Sequence, residues 1–132
     1  MRPLIVPSSV LLGLGLYLGT ACSAFDHLTR ACTLRPCGPT LVVQLAAAPA
    51  GSVRVEATDA ATKEERVFEC STSCEASAWF TDFKPQTVTV RVTTSAGTVE
   101  RTLQPSYASV RPNGSGCEPV CPEARVSMPL PT

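Results

Sequence analysis

The sequence is poor in the residues that most often carry chemistry. Of 132 residues, one is a histidine and one a tryptophan. His27 is the only imidazole, and it lies near the N-terminus, five residues from Cys22. A Ser-His-Asp triad needs a base held within hydrogen-bond reach by a rigid surround, so His27 reads as a solvated linker residue. No Cys-x-x-Cys occurs, which removes the thioredoxin motif and the usual zinc spacing. Charge is sparse at 17% and balanced, 11 basic residues against 11 acidic, with no basic run. Nucleic acid and anionic lipid surfaces are therefore not expected as the main partner. No Gly-x-Ser-x-Gly is present, so Gly114-Ser115-Gly116 reads as a turn and not a nucleophile elbow. Helical periodicity of useful length is also missing. Together these gaps predict a protein that is not an enzyme and holds no metal or cofactor.

What is present begins with a leader. After Arg2 no charge occurs until Asp26, residues 10–18 are almost purely apolar, and Gly19, Thr20 and Ala21 are small. That is the basic, apolar and cleavage-zone order of an export signal. An uncleaved anchor helix is the alternative, since more than about 18 uncharged residues can span a bilayer. Pro7, Ser8, Ser9 and three glycines make a poor lipid-facing helix, however. The junction Gly19-Thr20-Ala21-Cys22 resembles that of bacterial lipoproteins, whose signals end in an apolar residue, two small residues and a cysteine that receives diacylglycerol. Gly19 departs from the leucine usual there. The resemblance implies an export signal over 1–21, lipid on Cys22, and a lipidated N-terminus and tether over 22–39. Several acyl chains suffice for stable membrane anchoring where one is marginal. Ser23 after Cys22 resembles the outer-membrane sorting pattern. Cleavage near Ala24, giving a secreted chain, remains the competing reading.

Seven cysteines leave one unpaired in an exported protein. Assigning Cys22 to the lipid leaves six, in three close pairs: Cys32 and Cys37, Cys70 and Cys74, Cys117 and Cys121. Three disulfides are expected, and fifteen connectivities remain open. Zinc is the alternative for paired cysteines, but gaps of three and four residues and a single histidine do not suit it.

The body predicts strands. Residues 41–45 are a first strand, closed by the turn residues Pro49-Ala50-Gly51. Val53, Val55 and Ala57 alternate with Arg54, Glu56 and Thr58, as Val88, Val90 and Val92 do with Thr87, Thr89 and Arg91. Residues 66–70, the aromatic stretch 78–83, residues 98–103 after a Ser95-Ala96-Gly97 hairpin, and residues 124–128 complete about seven strands. Residues 112–116 read as a flexible turn, and Asn113-Gly114-Ser115 matches a glycosylation acceptor. Asp59, Glu64, Glu65 and Glu69 read as a solvated acidic loop and not as a carboxylate pair or calcium site. A small antiparallel two-sheet sandwich over 40–132, immunoglobulin-like or transthyretin-like and disulfide-stapled, is the predicted fold, because each alternating strand offers one apolar face that another sheet must cover.

The run Trp79-Phe80-Thr81-Asp82-Phe83-Lys84-Pro85, followed by residues 87–94 and a glycine turn, is similar to the transthyretin-like or carboxypeptidase regulatory-like domains of bacterial surface lipoproteins. The likeness covers roughly residues 40–128. It implies a noncatalytic spacer or binding module and carries over no functional residue. From the residues themselves, Trp79 and Phe80 are the candidate binding pair, and being adjacent in a strand they must point to opposite faces. The function expected is a lipid-anchored envelope protein acting as a structural or protein-binding module, its partners a membrane through the lipid and another envelope protein. A secreted carbohydrate-binding module using the Trp79 strand is the alternative.

Overall fold

The computed structural model describes residues 32–132. The expectations for the leader, Cys22 and His27 lie outside the described residues. Those described form an all-β sandwich of eight strands: β1 (Thr40–Leu45), β2 (Val53–Asp59), β3 (Glu65–Cys70), β4 (Ser77–Thr81), β5 (Val88–Thr94), β6 (Gly97–Leu103), β7 (Ala108–Val110) and β8 (Cys121–Met128). One sheet has the order β4-β1-β8-β7 and the other β3-β2-β5-β6. All neighbours are antiparallel except β1 and β8, which run parallel from Thr40 beside Glu123 to Leu45 beside Met128. Among the described residues no helix is long and apolar enough to cross a membrane.

The alternating valines become the core, as period two demands. Val53, Val55 and Ala57 of β2 and Val88, Val90 and Val92 of β5 meet Leu41, Val43 and Leu45 of β1 and Ala124, Val126 and Met128 of β8, all buried. Phe80 enters the same cluster from β4. Phe83, expected within the aromatic strand, lies beyond its end, yet it is buried with its ring centroid 6.3 Å from that of Phe80. Asp82 makes this possible: its φ of 53° turns the chain so that Phe83 folds back and its N–H donates to the Pro39 carbonyl.

The expected number of strands, about seven, holds, the eighth being β7, which at three residues is too short to show an alternation. One boundary differs. β8 starts at Cys121, three residues before residue 124, because Val110 of β7 pairs with Cys121. The glycine turn, by contrast, is as expected. Ser95 and Ala96 close a two-residue hairpin onto Gly97, whose φ of 140° is a conformation that L side chains rarely adopt.

Strand directions give the sandwich two distinct ends. The chain reaches β1 at the end that also holds the loops 60–64, 82–87, 104–107 and 111–120, here called proximal. The distal end holds the loops 46–52, 71–76 and 95–96 and the segment after Met128.

Candidate functional site

Cysteine placement is the firmest feature. Cys37 is bonded to Cys121 and Cys70 to Cys74, and Cys32 and Cys117 are also disulfide-bonded. The first bridge links segments 84 residues apart at the proximal end, and the second closes a loop of separation four at the distal end. Disulfides persist in oxidising surroundings, which places the folded domain in an extracytoplasmic compartment.

The two candidate binding residues separate as their adjacency requires. Phe80 is 4% exposed and belongs to the core, whereas Trp79 is 49% exposed on the outer face of the first sheet. Register brings Trp79 and Arg125 to either side of Val42. The Arg125 guanidinium reaches back across the intervening strand to lie 5.4 Å from the Trp79 ring centroid, within cation–π range. Val42 is fully buried although it belongs to the outward set, since these two side chains flank it on the outer face. Glu123 holds the guanidinium in place: Arg125 Nε and Nη2 donate to its Oε1 at 3.0 and 2.9 Å. Gln44 and Ser127 complete the row next to this one. The result is one half-exposed indole on a flat polar face, with a fixed cation on its inner side. Sequence reasoning found Trp79 but missed Arg125, Glu123 and Gln44, because only the parallel pairing of β1 with β8 brings them together. The signal was there only as the outward residues 123, 125 and 127 of an alternating strand.

The outer face of the second sheet carries a chain of charges across four strands. Arg54 pairs with Glu69 and, at 3.1 Å, with Glu56, while Arg91 pairs with Glu56 at 3.9 Å and Glu100 at 2.7 Å. Hydrogen bonding to Glu56, then to Glu69, raises the Arg54 pKa, and Glu100 does the same for Arg91. At the distal end of this face lies an open groove of about 590 Å³, lined by Ser52, Arg54, Glu69, Ser71, Thr93 and Ser95. Its guanidinium is already neutralised by carboxylates, and the remaining lining is mainly hydroxyl.

Asn113 is the buried polar residue of the proximal end, 8% exposed. Its Oδ1 accepts from Thr33 Oγ1 at 2.7 Å and from the Arg35 amide at 3.0 Å, and its Nδ2 donates to the carbonyls of Arg35 and Glu118. The side chain is saturated, so this residue serves as a clamp on the tether and is a poor glycosylation acceptor. The surrounding turn is likewise bonded, with Gly114 N–H donating to Arg111 and Cys117 N–H to Gly114. Residues 112–116, expected as a plain flexible turn, thus form a hydrogen-bonded hub. Gly114-Ser115-Gly116 belongs to it.

The acidic residues do not gather into a ligand set. Asp59 Oδ1 accepts from the Ala61 and Thr62 amides as a local turn, Glu64 pairs with Arg66 at 2.6 Å, and Glu69 joins the Arg54 network. Among the described residues no cluster of three His, Cys, Asp or Glu side chains could hold a metal. Among the described residues, Tyr107 has the most strongly raised pKa. Burial, and then the nearby Asp59 charge, push its pKa up to about 12, and its hydroxyl donates to the Pro85 carbonyl at 3.2 Å.

No protein-family model matches the chain, and no curated protein or solved structure is significantly similar to it. The class established by the residues themselves is a disulfide-stapled, extracytoplasmic β sandwich.

Proposed function

We propose that this chain is a lipid-anchored protein of the bacterial cell envelope, held in the outer membrane through Cys22, whose transthyretin-like sandwich is a noncatalytic module for binding another envelope protein. The observation that carries the binding role is Trp79, a large apolar ring left 49% exposed beside a cation fixed by Glu123. An aromatic and an arginine on one rigid patch are the residue types that dominate binding energy at protein interfaces. The leader, the small-residue junction at Cys22 and the even number of remaining cysteines support the anchor. Intact mass of the protein from a native membrane fraction, before and after reduction and alkylation, tests it. A chain beginning at Cys22, carrying acyl mass and alkylated at six cysteines only after reduction, is the expected result. A chain beginning near Phe25 without lipid would retire the anchor. Crosslinked capture from the envelope tests the patch: Trp79→Ala should lose the captured partner while melting at an unchanged temperature.

A glycan is the second reading, favoured by the same indole standing on a flat face with Gln44, Ser127 and Arg125 as hydrogen-bonding groups. Trp79 is the only tryptophan, so its fluorescence reports directly on ligand. A saturable change with envelope oligosaccharides would favour this reading, and a flat titration would discard it.

A further inference from the structure

The first and last strands lie side by side and point the same way, parallel over six residue pairs. Cys37, three residues ahead of β1, is bonded to Cys121, the first residue of β8. Together these features determine how tension travels through the chain. A pull on the chain ahead of β1, resisted by residues beyond Met128, reaches β8 through the proximal disulfides: it crosses from Cys37 to Cys121, beside the disulfide-bonded Cys32 and Cys117, and runs along β8. Residues 38–116, which include β1 to β7, lie in a closed loop outside that path. β8 is already extended, at roughly 3.3 Å per residue, so it has almost no length left to release. Its direction also suits the load: it starts at the proximal end, where the chain arrives, and finishes at the distal end, where the chain leaves. No strand has to slide or unzip.

We propose that β8 and the Cys37–Cys121 bridge form a covalent strut, and that the domain is a tension-bearing connector between what holds the chain ahead of Cys37 and what grips it beyond Met128. Seven of the eight strands are thereby kept out of the load. The Cys70–Cys74 bridge has no part in this, because both its ends lie inside the loop. With the proximal cysteines reduced, the load falls on the β1–β8 ladder. Parallel strands pulled from opposite ends load all six pairs together in shear, which is a second line of resistance. The inference rests on connectivity and strand direction, so it stands or falls separately from the binding role of the Trp79 face.

Single-molecule stretching of the chain from residue 22, held by handles at its two ends, tests the strut. Without reductant, no long extension step is expected before the handles fail. With reductant added after folding, the 84-residue interval is released, adding roughly 290 Å at about 3.5 Å per residue. That gain comes as a single step, or is present from the start if the reduced sandwich does not hold. A long step in the unreduced protein overturns the proposal. To separate a bypassed domain from one that is merely unyielding, the unreduced protein is also pulled between Ser95 and Thr132. That route runs through the loop, and its 37 residues, 132 minus 95, should give a step of roughly 100 Å. A missing step there would overturn the proposal as well, since the bridge would not be what withholds extension.

Discussion

At the proximal end four loops and the incoming chain converge, and long-range bonds tie them together: the Cys37–Cys121 bridge, the three hydrogen bonds of Asn113 to Thr33 and Arg35, and Tyr107 donating to Pro85. At the distal end the connections are short and self-contained, with a two-residue hairpin, a disulfide of separation four, and a loop of alanine, proline, glycine and serine over 46–52. The same two sheets are thus closed by cross-linking distant segments at one end and by tight local turns at the other. Stability should be concentrated where distant segments meet, because closing a long loop removes more unfolded-chain entropy than closing a short one.

The largest effect should come from the disulfides. Replacing the four proximal cysteines, Cys32, Cys37, Cys117 and Cys121, by serine should destabilise by about 2–5 kcal/mol, against about 2 kcal/mol or less for the Cys70/Cys74 pair, on the loop-length dependence of cross-link entropy. Urea titration of both variants checks this, and equal losses would break the contrast between the ends. Asn113→Ala should cost about 1–3 kcal/mol by leaving the Arg35 and Glu118 backbone groups without partners. Amide exchange at Arg35 should accelerate along with it, and an unchanged rate would deny the clamp. Two glycines sharpen the comparison further. A Cβ at Gly38 would run into the Asp82 carboxylate, whereas one at Gly51 meets nothing within 4 Å. Gly38→Ala should therefore lose about 1 kcal/mol and Gly51→Ala should stay within roughly 0.5 kcal/mol of the parent, read as thermal midpoints. The smallest effect is alkaline. Tyr107 ionises near 10 when unfolded and near 12 when folded, so the folded state holds its proton longer. Its contribution is complete below pH 10 and is lost as the pH rises to about 12. Denaturant midpoints across that window should fall in the parent and stay flatter in Tyr107→Phe.

Much of the fold could be read from residues in isolation. Val53-Arg54-Val55 and Val88-Thr89-Val90 announce half-buried strands because alternation is a local property of the extended chain. What could not be read depends on pairing between distant residues. Ala108-Ser109-Val110 is a strand only because β8 lies beside it. Leu41 to Leu45 does not reveal that its neighbour is the last strand of the domain. The candidate site divides in the same way. Opposite faces for Trp79 and Phe80 follow from their adjacency, but the guanidinium over the indole depends on β8 lying next to β1. Asn113 looked like a turn residue and glycosylation acceptor because its partners, Thr33 and Arg35, are about eighty residues away.

The adjacency of β1 and β8 also governs when the protein can fold. Thr40 pairs with Glu123, so the first sheet lacks one of its two central strands until nearly the whole chain is available. Local hairpins such as β5–β6 can form early, but one backbone edge of β1 stays unpaired until the last strand arrives, and contacts of such long range form slowly. A nascent chain emerging from its N-terminus would remain without its finished sandwich throughout synthesis. For a chain read as exported, that delay keeps it loose enough to thread through a membrane, and the sandwich closes only on the side where its cysteines can oxidise.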